Sequence, residues 1–113
     1  MVVWAKVPDR SGIVKPDPRP LLITGVHPTI KNAPFVAHCI STRTELNPLD
    51  PVFEMPWNAQ TGSTTGLYEW CALVLRWSLI VDPKDVEDIS GTVTDSMLAS
   101  IQQRIVDAQW PIV

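Results

Sequence analysis

At 113 residues, with 45% hydrophobic and 19% charged side chains, the chain is sized for a single domain over residues 1–113, with a core that needs no staples. No apolar run approaches the roughly 20 residues of a membrane span, and "MVVWAKVPDR" lacks the basic-then-apolar order of a signal peptide, so a cytoplasmic, non-membrane protein is expected. The net charge of −3 speaks against a nucleic-acid partner by its sum. Its distribution differs: residues 1–43 carry six basic against two acidic side chains, and the remainder three basic against ten acidic, which allows one basic face on an acidic body.

"MVVWAKV" (1–7), rich in Val and Trp, reads as a first strand. "PDRSGIVKPDP" is a loop, and "LLITGV" (21–26) a second strand. Between them Pro16, Pro18 and Pro20 hold Asp17 and Arg19 extended, because proline fixes its own φ and biases the residue before it. "HPTIKNAP" is a connection made of turn residues. "FVAHCIST" (35–42) is a third strand, apolar enough to be central, and "PVFEM" supplies a fourth over 52–55. "NAQTGSTTG" (58–66), small and polar, is expected to be a mobile loop.

"LYEWCALVLRWSLIV" (67–81) is the most apolar segment and too long for one strand of a small domain, so it predicts two strands or one with a bend. "DPKDVED" reads as a turn or a single helical turn, and "ISGTV" (89–93) as a short closing strand. A helix follows over 94 to about 107: Thr94 can cap it, Asp95 suits its positive end, and Leu98, Ile101, Ile105 and Ala108 form one stripe. The pattern predicts a mostly β fold, a small, strongly bent sheet or barrel with a C-terminal helix packed on it. Cys39 and Cys71 each lie in an apolar run and read as reduced core thiols. Neither they nor His27 and His38 have a spacing that suggests a metal site, and no cofactor is implied.

The order of features resembles the PemK/MazF family of toxin endoribonucleases from type II toxin–antitoxin systems. The residues that carry it are Arg19-Pro20 before the aliphatic strand, Val36 to Thr42 ending in Ser-Thr, Thr65-Gly66-Leu67, and Ile89 to Val93 followed by the helix. They span about residues 2 to 106. The resemblance implies an SH3-like barrel of curved antiparallel strands, a homodimer, an RNA substrate bound near the dimer interface, and a peptide antitoxin covering the same surface. Two departures stand out. The Gly-Asp that usually precedes the first strand is missing, and the stretch holding Val74 and Arg76 lacks the acid of the Arg-x-Asp pair some members carry.

RNA can be cut without metal when its own 2′-OH attacks the adjacent phosphate, given a base, an acid and something to neutralise the pentacoordinate phosphate. An arginine offers charge and a planar fork of donors, and Arg19 matches the family's catalytic position by its Pro20. Its high pKa suits electrostatics better than proton transfer. The family's hydroxyl falls on Ser41, with Thr42 next; since strand side chains alternate, one of the two faces Arg19, and Ser41 is favoured. Lys15 and Arg43 would meet RNA on the basic face. His27 reads as a solvated loop residue able to reach RNA, and His38 as structural. Trp57, beside the loop, is the candidate to stack on a base, while Trp70 and Trp77 read as core or interface. Two rivals share the fold: a gyrase-poisoning toxin of the CcdB type, which the tail "QWPIV" resembles, and a catalytically inactive dimeric member that only binds.

Overall fold

The aliphatic and β-branched runs pair into one sheet. In the computed structural model, which describes residues 1–8, 12–14, 17–25, 34–42 and 49–109, the strands are β1 (Val2–Ala5), β2 (Arg19–Gly25), β3 (Phe35–Ser41), β4 (Val52–Glu54), β5 (Ala72–Val81) and β6 (Val86–Gly91). A 3-10 turn (Pro83–Asp85) precedes β6, and helix α1 (Asp95–Gln109) follows it. The six strands form one antiparallel sheet in the order β4-β5-β3-β2-β1-β6. β3 is interior, as its apolar content predicts. The fold is thus mostly β with a C-terminal helix. Its radius of gyration, 13.7 Å, is that of a compact chain of this length, about 13 Å.

Both faces of the sheet are apolar, which explains why the strands read as near-continuous hydrophobic runs. On one face Val2, Leu22, Ile40, Leu73 and Leu75 meet Ile101 and Ile105 of α1. On the other, Val3, Ala5, Leu21, Phe35, Ala37, Cys39 and Val81 form a second cluster, with Trp77 packed against it. Thr94 caps α1 as predicted, its Oγ1 accepting from the Met97 N–H at 3.2 Å.

The long apolar run resolves into one strand with a bend. Ile40 pairs with Leu73 and His38 with Ser78, so residues 74 to 77 of β5 pass opposite Cys39 alone. Four residues facing one force the strand to turn, and β5 serves β4 at one end and the far half of β3 at the other. Arg76, inside the bend, donates from Nε to the Ala108 carbonyl at 2.6 Å, tying the turn to the end of α1.

Two expectations need correction. The closing strand starts at Val86, not Ile89, because "VED" pairs with β1 as a charged, exposed sheet edge. The loop at 58–66 is built rather than free. Asn58 Oδ1 accepts from the Gln60 and Thr61 N–H groups at 2.9 and 3.0 Å, and the Thr65 hydroxyl, fully buried, donates to the Pro56 carbonyl at 2.7 Å. The loop also docks on β6, with Thr92 N–H donating to Thr64 O and Ser90 Oγ to Thr65 O, each at 2.9 Å.

Candidate functional site

One row of residues crosses the sheet at its end. Glu54 of β4 pairs with Ala72 of β5, Ala72 with Ser41 of β3, and Arg19 of β2 with Ala5 of β1. The β2–β3 ladder pairs Leu21 with Cys39, and its register carried two residues further sets Arg19 level with Ser41, both of which line one cleft. In that register both point to the face of Leu21, Cys39 and Trp77, while Thr42, just past the end of β3, lines the same cleft.

Around this row lies a cleft of about 600 Å³, within the ~300–1,000 Å³ range of ligand sites. Asp17, Pro18, Arg19 and Pro20 form one rim, and Ile40, Ser41 and Thr42 the floor. Gly66, Leu67, Tyr68, Glu69 and Cys71 form the opposite wall, with Trp4, Val7 and Ile13 closing the side. The proline frame thus does place its charges at a cleft. The guanidinium of Arg19 lies over the Trp77 ring at 4.7 Å from its centroid, which orients its plane. Ser41 is 2% exposed, and its Oγ has no hydrogen-bond partner among the described residues. A buried hydroxyl is costly where it lacks a hydrogen-bond partner.

The wall opposite Arg19 owes its place to the hairpin arm that extends β4 and β5. Met55 N–H donates to the Cys71 carbonyl at 3.1 Å and Asn58 N–H to the Leu67 carbonyl at 3.0 Å. Gly66 starts the wall with φ +74° and lies so close to the Ser90 carbonyl of β6 that a side chain would have no room. Cys71 lies inside the cleft, but burial, and next the charge of Glu69, push its thiol up to about 11. It stays protonated at neutral pH, so the cleft holds no cysteine nucleophile there.

Three sequence candidates come together here: Arg19, Ser41 and Thr42. Trp57 is exposed on the hairpin arm, outside the cleft. Lys15, His27 and Arg43 lie outside the described residues, and with them the expected basic face. His38 is buried, bonded through Nδ1 to Thr24 Oγ1 at 2.7 Å, a structural placement as expected.

No protein-family model matches this chain, and no curated protein matches it. The site therefore has to be read from its own residues. Sequence reasoning missed three of them. Asp17 and Glu69 bring carboxylates to a cleft expected to lack one, and Tyr68 brings an aromatic ring. Trp77, read as core, supports Arg19. Asp17 carried a signal, since it shares the proline frame. Glu69 and Tyr68 carried none, because their place depends on the hairpin arm's pairing.

Proposed function

We propose that this chain is a metal-independent endoribonuclease of the PemK/MazF kind that cuts single-stranded RNA. The observation that carries the reading is that Arg19 and Ser41 line one open cleft, with the Ser41 hydroxyl left without a hydrogen-bond partner among the described residues. A hydroxyl donor and a guanidinium on one face make a site for a phosphate group. In this reading the bent sheet is the family's SH3-like barrel, the active form is a homodimer, and an antitoxin segment masks the cleft.

The substrate's 2′-oxygen attacks the adjacent phosphorus, and the bond to the 5′-oxygen breaks. Asp17, two residues before Arg19 on the same rim, takes the 2′-OH proton. Arg19 neutralises the phosphorane, Ser41 donates to a non-bridging oxygen, and the leaving 5′-oxygen takes a proton from water. The products are a 2′,3′-cyclic phosphate and a 5′-OH.

The test is incubation of the purified protein with a long single-stranded RNA in the presence of chelator. Cleavage with cyclic-phosphate ends is expected, and Arg19→Ala should lower the rate by on the order of 10² to 10³ without unfolding the protein. A strand with one deoxyribose at the cut position should stay whole. Intact RNA overturns the reading, and cleavage of the deoxy-substituted strand overturns the 2′-OH step.

A further inference from the structure

We infer that Tyr68 and Glu69 form a nucleobase pocket beside the phosphate site, and that this pocket selects guanine. The inference rests on the endoribonuclease reading for its class of ligand and on the cleft wall for its residues. Tyr68 is 60% exposed, an unusual state for an aromatic side chain on a concave wall. Its ring is held all the same. It lies against Gly62, where a Cβ would come within 2.8 Å of Cζ and 2.9 Å of Cε2. The backbone just before it is fixed at Leu67, whose carbonyl accepts from Asn58 N–H and whose N–H donates to Thr65 Oγ1 at 3.3 Å. A ring that meets the protein at Gly62 and is otherwise largely exposed is a stacking platform that a base can use without ordering the protein first.

Glu69, the next residue on the same wall, decides which base. Its carboxylate repels phosphate, so the backbone of a bound strand runs to the Arg19–Ser41 side and a base turns to the Glu69 side. A carboxylate accepts two parallel hydrogen bonds and donates none when ionised. Guanine presents two adjacent donors, N1–H and the N2 amino group. Adenine and cytosine present one amino group beside a ring acceptor. Uracil presents one N–H between two carbonyls, whose oxygens would face the carboxylate unfavourably.

The experiment uses strands that cannot be cut: fluorescent uridine pentamers with 2′-deoxyriboses throughout and a central guanine, adenine, cytosine or hypoxanthine. The full chain should bind the guanine strand most tightly, and hypoxanthine, which lacks the N2 amino group, should lose part of that preference. Tyr68→Ala should weaken all strands by on the order of 10- to 100-fold, and Tyr68→Phe should restore them. Glu69→Gln should bring guanine to the level of adenine. Equal binding of all bases by the native chain, or an unchanged guanine preference in Glu69→Gln, overturns the pocket. So does the absence of binding by every strand. A guanine preference without any RNA cleavage keeps the pocket and removes the endoribonuclease reading, whereas cleavage without base preference does the reverse.

Discussion

At Ser41, stability and function pull apart. Its hydroxyl is buried with no partner among the described residues, and a buried, unpaired polar group costs about 1–3 kcal/mol. Ser41→Ala removes that cost along with the hydroxyl that the proposed mechanism uses as a donor. The variant should melt at or above the native temperature yet cut RNA more slowly, as thermal denaturation and initial rates on the same sample will show. A variant that melts markedly lower would mean the hydroxyl is paired after all. His38 makes the second residue-scale prediction. Burial lowers its pKa from the ordinary 6.5, so the unfolded chain takes up a proton more readily than the folded one. Its contribution to stability is complete above about pH 6.5 and is lost as pH falls through the lower folded value. Urea midpoints should drop between pH 7.5 and pH 5, and the drop should shrink in His38→Gln. The same drop in the variant would assign it to other groups.

At the scale of elements, the cleft depends on a contact between the hairpin arm and β6. Gly91 of β6 lies against the Thr64 carbonyl so closely that any side chain must push the loop away. Gly91→Ala should cost about 1–3 kcal/mol, by analogy with overpacking elsewhere. Because the displaced loop carries Gly66 and the wall after it, the variant should also lose RNA binding. Native stability with native binding would show that the loop is not part of the site's support. The sequence signals for these two elements were unequal. α1 was legible because its cap, its acidic first turn and its apolar stripe are all local. The loop at 58–66 looked free because what holds it, β6, lies 25 residues away at the Ser90–Thr65 bond.

At the scale of the whole molecule, an apolar pair remains exposed. Val36 and Ile80 are cross-strand partners on β3 and β5, 40% and 80% exposed. In the proposed homodimer this pair would lie within the covered surface or at its edge. Sedimentation at micromolar concentration should therefore give a dimer, and Ile80→Glu should shift it toward monomer with the fold intact by circular dichroism. A native monomer would remove the homodimer from the proposed function. Among the described residues no helix is long and apolar enough to cross a membrane.

The sequence by itself determined the approximate places of the strands and the helix, because side-chain period and capping act over a few residues. The second strand starts two residues earlier than expected, with Arg19 and Pro20 paired to β1 rather than standing ahead of it. Alternation along a strand, as local as a turn, let only one of Ser41 and Thr42 face Arg19, and the preference for Ser41 came from the family resemblance. Only the tertiary structure decided what surrounds them. The fold brought Arg19 and Ser41 to one cleft, the bend in β5 brought Trp77 beneath the guanidinium, and the pairing of the hairpin arm carried Tyr68 and Glu69 to the far wall. Those placements join residues 20 to 60 positions apart. They follow from burying two apolar faces of one sheet at once, a condition no short window of sequence contains.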